Sequence, residues 1–112
     1  MMMLPEQGQL LRIYIGETDK HEGKPLFEWI VLKAREMGLA GATVMRGLEG
    51  FGAHSRVHTA KILRLSSSMP VVVELVDTHD KIERFMPIVD EVITEGLATL
   101  ENVHIRIYRH RK

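Results

Sequence analysis

Pro70-Val-Val-Val-Glu-Leu-Val-Asp77 is the stretch on which the reading of the fold turns. Four valines and a leucine in eight residues make it the strongest strand in the chain. Asp77 or Thr78 can then cap a helix, which carries Ile82, Phe85, Met86 and Val89 inward at helical spacing. Pro87 lies inside that pattern and removes one backbone hydrogen bond, so a kink or a short break is expected there. Gly96 ends the segment. Val103-His-Ile-Arg-Ile-Tyr-Arg109 alternates as a last strand, with Val103, Ile105 and Ile107 on one face. The second half of the chain therefore reads β-α-β.

The first half has the same order. Leu10-Leu-Arg-Ile-Tyr-Ile15 places Leu11, Ile13 and Ile15 on one face and Arg12 and Tyr14 on the other. A polar loop over 16–24 leads to Pro25, which suits the start of a helix. Leu26, Ile30, Ala34 and Met37 form its apolar stripe, Phe27 and Val31 widen it, and Gly38 stops it. Ala42-Thr-Val-Met-Arg46 is the second strand. Two β-α-β units with right-handed crossovers give an α+β fold, the ferredoxin-like sandwich. It has a four-stranded antiparallel sheet, both helices on one face, and a long loop between strands 2 and 3. Residues 10–112 form one domain, and 1–9 read as a flexible tail.

Two helices cover one side of such a sheet. The other side is expected to carry Arg12, Tyr14, Val72, Glu74, Val76, His104, Arg106 and Tyr108. This mixture of apolar, aromatic and charged groups points to packing between subunits, against the alternative of a solvated face.

Composition narrows the function. Fifteen basic and fifteen acidic residues balance, which argues against a nucleic-acid binder with its basic face. The absence of cysteine excludes disulfides, thiolate metal sites and cysteine nucleophiles. No apolar run is long enough to span a bilayer, and the opening residues lack a signal peptide's charged start and apolar middle. A cytoplasmic protein is the expectation.

The functional signal is Arg46-Gly-Leu-Glu-Gly-Phe-Gly52 and the loop beyond it. Three glycines in six residues, directly after a strand, mark a backbone that bends sharply or admits something close. His54, Arg56, His58, Lys61 and Arg64 follow in a connection of seventeen residues over 53–69, and loops of that length tend to be functional or disordered. Turn and loop together suit the binding of a small anion and its presentation to a partner.

At Gly50-Phe-Gly52 the chain resembles the PII signalling proteins, and along its length it resembles the PII-like family known as domain of unknown function 190. The matching stretches are Ile13-Tyr-Ile-Gly-Glu17, Gly23-Lys-Pro-Leu-Phe27, Gly38-Leu-Ala-Gly-Ala-Thr-Val44, Arg46-Gly-Leu-Glu-Gly-Phe-Gly52, Leu65-Ser66, Arg84-Phe-Met-Pro-Ile-Val-Asp-Glu91 and Tyr108-Arg-His110. The resemblance implies a homotrimer with ligand clefts between subunits, an adenine nucleotide with or without magnesium as ligand, and regulation of a partner through the 53–69 loop. It places Gly50, Phe51, Gly52, Ala53 and His54 at the base of the cleft. Freed N–H groups in a glycine turn suit an anion.

There are departures from the PII pattern. His54 stands where PII proteins carry a glutamine that helps to hold magnesium and 2-oxoglutarate. No tyrosine lies in 53–69 for modification, and 94–102 holds no lysine or arginine for phosphate. Phosphate contacts fall instead to Lys24, Arg46 or the tail beginning at Arg109. Arg56, His58, Lys61 and Arg64 are the partner-binding candidates, and association of some relatives with fluoride-channel proteins makes a membrane transporter or channel a candidate partner.

Two other readings stand beside the sensor. A divalent-metal-binding trimer would use His54 and His58, or the acidic cluster Glu17, Asp19 and Glu22, although neither has a recognised ligand spacing. A structural or assembly module would use the loop as a docking arm without ligand. No nucleophile framed by glycines and no acid–base pair is visible, so no catalytic residue is assigned.

Overall fold

The computed structural model describes residues 7–47, 49–50, 58–59 and 69–110. Its elements are β1 (Gln7–Gly16), β2 (Lys20–His21), β3 (Lys24–Pro25), α1 (Leu26–Glu36), β4 (Gly41–Arg46), β5 (Glu49–Gly50), β6 (His58–Thr59), β7 (Pro70–Asp77), α2 (His79–Val92) and β8 (Leu97–His104). The main sheet has the order β4-β7-β1-β8, and every neighbouring pair is antiparallel. This is the expected α+β fold, a four-stranded antiparallel sheet with two helices, consistent with the ferredoxin-like order. β2 pairs with β3 and β5 with β6 as two small ribbons.

The register explains the core. Leu11 lies opposite Leu75, Ile13 opposite Val73 and Ile15 opposite Val71, and all six side chains are buried. Opposite residues share a face, so this alternation makes one apolar surface for the helices. Leu26, Ile30 and Ala34 of α1 and Ile82, Phe85, Val89 and Val92 of α2 close over it. Phe27, Val31, Met37 and Met86 pack at its margin.

A capping residue sets the end of α1 and the start of α2. Gly38, with φ of +78°, receives the chain after α1. Its N–H donates to the Arg35 carbonyl and the Leu39 N–H donates to that of Ala34, the paired bonds of a Schellman turn. The Lys81 ammonium adds a bond to the Gly38 carbonyl at 3.1 Å. At the start of α2 the Thr78 hydroxyl accepts from the Lys81 N–H at 3.3 Å. Asp77, fully buried, accepts from the Thr78 N–H at 2.6 Å and the Ala40 N–H at 2.8 Å. α2 runs through Pro87 without the expected break. Pro87 and Glu83 face solvent, so water can satisfy the Glu83 carbonyl that the missing N–H leaves open.

The last strand is corrected. It occupies Leu97–His104 rather than 103–109, and β1 begins at Gln7 rather than at Leu10. Leu97 pairs with Tyr14 and His104 with Gln7, so beyond His104 β1 offers no further ladder partner among the described residues. Residues 105–110 leave the sheet as a tail. The strand can start directly after Gly96 because the chain there comes so close to β1 that an added Cβ would lie 2.7 Å from the Tyr14 carbonyl oxygen.

The open face changes accordingly. Arg12, Tyr14, Val72, Glu74 and Val76 lie on it as expected, joined by Thr43 and Met45 from β4 and by Leu97, Thr99 and Glu101 from β8. His104, opposite Gln7, alternates to the other side, Arg106 belongs to the tail, and Tyr108 reaches the open face from the tail, beside Thr43, Glu74 and Val76. At the centre Arg12 bridges Glu74 at 2.8 Å and Glu101 at 2.7 Å. The hydrogen bond that the guanidinium donates to Glu74, and then that to Glu101, raises it above its usual pKa. Tyr14, Met45 and Leu97 are exposed around it.

Candidate functional site at the root of the β4–β7 connection

The chain leaves the sheet at Arg46 and re-enters it at Pro70, and both ends of the connection are fastened by backbone hydrogen bonds. The Gly47 N–H donates to the Pro70 carbonyl at 2.7 Å, and the Glu17 N–H donates to the Met69 carbonyl at 2.8 Å. Met69, read from sequence as loop, is buried at 2 % exposure and belongs to the core. A Cβ on Gly47 would lie 2.8 Å from Pro70 Cγ, so only glycine permits this approach. Just beyond the root, Glu49 pairs with Thr59 and Gly50 with His58.

Arg46 is the last residue of β4, held in register against Val71. It alternates with Met45 of the open face, so it stands on the helix side of the sheet. Its Nη2 lies 2.9 Å from both Oε1 and Oε2 of Glu17, and its side chain is 55 % exposed. A cation is thus fixed by a strand, half in water, with one carboxylate beside it.

The loop over 16–25 forms the adjacent wall. The Asp19 carboxylate accepts from the Gly16 N–H at 2.9 Å, and the Asp19 carbonyl accepts from the Leu26 N–H at 2.7 Å. Glu22 and Gly23 have φ of +52° and +80°, the left-handed pair of a tight type I′ hairpin between β2 and β3. The Trp29 indole N–H donates to Glu22 at 3.3 Å, and the His21 ring meets the indole edge-on at 4.5 Å. Trp29 is half-buried against the core, and Lys24 is exposed on β3.

The structure therefore brings Lys24 and Arg46 to the same end of the sheet, with the backbone of Gly50 and His58 on the paired strands beyond. It does not bring Arg109 there. The Tyr108 hydroxyl donates to the Ala40 carbonyl at 3.0 Å, which sets the tail at the start of β4. From there to Arg46 the strand runs roughly 20 Å at ~3.3 Å per residue. Phe51, Gly52, Ala53, His54, Arg56, Lys61 and Arg64 lie outside the described residues.

Glu17, Asp19 and Glu22 do not converge. Each has its own partner, in Arg46, the Gly16 N–H and Trp29, and among the described residues no group of three His, Asp or Glu side chains could hold a metal. No motif links Glu17 with Arg46, which lies 29 residues further along the chain. A groove of about 310 Å³ lies at the tail, lined by Gly41, Thr43, Glu74, Val76, Ile105 and Tyr108. Its one carboxylate, Glu74, is already paired with Arg12. Among the described residues no helix is long and apolar enough to cross a membrane.

Comparison with known sequences finds relatives along most of this chain. The model of the DUF190 family, described as "Uncharacterized ACR", matches residues 8–105. A UPF0166 protein of Aquifex aeolicus is 41 % identical over 99 residues, covering 87 % of this chain and 91 % of that protein. A UPF0166 protein of Methanocaldococcus jannaschii is 36 % identical over 100 residues, covering 88 % and 92 %. A second Aquifex aeolicus UPF0166 protein is 31 % identical over 96 residues, covering 86 % and 94 %.

Proposed function

We propose, from the premise that this chain belongs to the DUF190 family, that it is a small-molecule sensor which binds an adenine nucleotide at the root of the β4–β7 connection. In this reading Arg46 and Lys24 neutralise phosphate, while Gly50, Phe51, Gly52, Ala53 and His54 line the site, with or without magnesium. Arg56, His58, Lys61 and Arg64 then face a partner protein, a transporter or channel among the candidates. The protein acts by binding, with no catalytic step.

The observation that carries the reading is the Arg46 guanidinium, exposed on a strand end at the root of a glycine-rich connection whose two ends are fastened by backbone hydrogen bonds. A cation held in place before the ligand arrives loses little freedom on binding, and its planar fork matches phosphate oxygens. Ligand contacts at such a root bias whatever conformations the connection adopts, which is the physical basis of a sensor. The exposed Tyr14, Met45 and Leu97 around the Arg12 bridge support association of open faces between copies, and a homotrimer with clefts between subunits fits the resemblance to PII proteins.

Isothermal titration with ATP, ADP, AMP and cyclic nucleotides, each with and without magnesium, tests the proposal. Micromolar binding that is lost in Gly52→Val is expected. No heat with any nucleotide would leave the fold standing and remove the sensor reading.

A further inference from the structure

We infer that Glu17 is a built-in competitor for the ligand anion, so that Arg46 is available to phosphate only against the opposition of this carboxylate. The inference rests on the proposed reading of the root as an anion site, and it concerns how that site sets its affinity.

The backbone around Arg46 is already committed. The Gly16 N–H is spent on the Asp19 carboxylate, the Glu17 N–H on Met69, the Leu26 N–H on Asp19 and the Gly47 N–H on Pro70. An anion reaching these residues finds no spare amide among the four, so what they offer it is side-chain charge. Arg46 is the cation fixed at the root, and its Nη2 is shared by both oxygens of Glu17 at 2.9 Å. Glu17 is the less exposed partner, at 29 % against 55 %, so the guanidinium is the part of the pair more open to an arriving anion.

Two outcomes are open to an arriving phosphate, and Glu17 opposes both. If the guanidinium rotates to meet the phosphate in a fork, the bond to Glu17 is given up. If it stays, the phosphate binds with a like charge a few ångströms away. The penalty grows with the ligand's charge and shrinks as salt screens it. The competitor is also tied to the far end of the connection, because the Glu17 N–H holds Met69. Release of Arg46 therefore acts on the residue that fastens the returning chain.

The test compares ATP and AMP titrations of the parent chain, Glu17→Gln, Arg46→Ala and the double variant. Glu17→Gln should tighten ATP by up to about five-fold, the range of an exposed ion pair, and should tighten AMP by less. The gain should fall at high salt and disappear in the Arg46→Ala background. Glu17→Ala, which removes the side chain's reach as well as its charge, should show the same direction. ATP binding by the parent with unchanged or weaker binding by both Glu17 variants, or an equal gain without Arg46, would overturn the inference and leave the site standing. No ATP binding by the parent would overturn both.

Discussion

The hydroxyl of Tyr108 donates to the carbonyl of Ala40 at 3.0 Å, fastening the tail that follows the β8 edge to the start of β4 at the opposite edge. Ile105 helps to seat it, since its Cδ1 occupies the space a Cβ on Gly8 would need, 2.7 Å away. Tyr108→Phe removes the one bond and keeps the ring. Amides over 105–110 should then exchange faster, while global stability falls by no more than about 1.5 kcal/mol. Unchanged exchange in the tail would mean that ring packing alone holds it.

Asp77 is expected to be among the most sensitive polar positions. It is fully buried and its two oxygens serve the Thr78 and Ala40 N–H groups, joining the end of β7 to the turn before β4. Asp77→Ala strands both donors, a loss of roughly 3 kcal/mol at ~1–3 kcal/mol per unsatisfied group. Asp77→Asn retains one acceptor and should fall between Ala and the parent. Denaturant unfolding of the three proteins checks the order.

Gly96 and Gly41 should answer the same substitution differently. A Cβ at Gly96 meets the Tyr14 carbonyl oxygen at 2.7 Å, a backbone atom of β1 that cannot give way without moving the strand. At Gly41 nothing lies within 4 Å. Gly96→Ala should cost about 1–3 kcal/mol, with faster exchange where Leu97 pairs with Tyr14. Gly41→Ala should stay within about 0.5 kcal/mol of the parent.

Arg12 separates two carboxylates on the open face. Arg12→Met leaves Glu74 and Glu101 facing one another and should lower Tm. Added salt should narrow the deficit, and a second change, Glu101→Gln, should reduce it further. A deficit that ignores both would assign the loss to the packing of the arginine stem.

What the sequence made legible follows from burial. Leu11, Ile13 and Ile15 and the run Val71–Val73–Leu75 alternate because one face of each central strand is dry. Leu26, Ile30 and Ala34 recur at helical spacing for the same reason. β8 was misplaced because it is an edge strand: Leu97 and Leu100 are exposed on opposite faces, so no dry side imposes a period. The alternation of Val103, Ile105 and Ile107 came instead from a strand end and a tail crossing Gly8. At the site, Arg46 and Lys24 stood out as cations beside glycines, and the structure puts them at one end of the sheet. The partner of Arg46 did not stand out. Glu17 reaches it only through the pairing of β1 and β4 with the β7 strand between them. Arg109, grouped with them by charge alone, is carried to the other end by the tail.

Hydrogen exchange of the parent chain, with and without saturating ATP and magnesium, tests most directly whether nucleotide binds at this root. Protection should appear in residues 16–24 and 45–50, the segments that carry Glu17, Lys24, Arg46 and Gly50. Unaltered exchange in both segments, whatever happens elsewhere in the chain, would contradict a ligand site at the root of the β4–β7 connection.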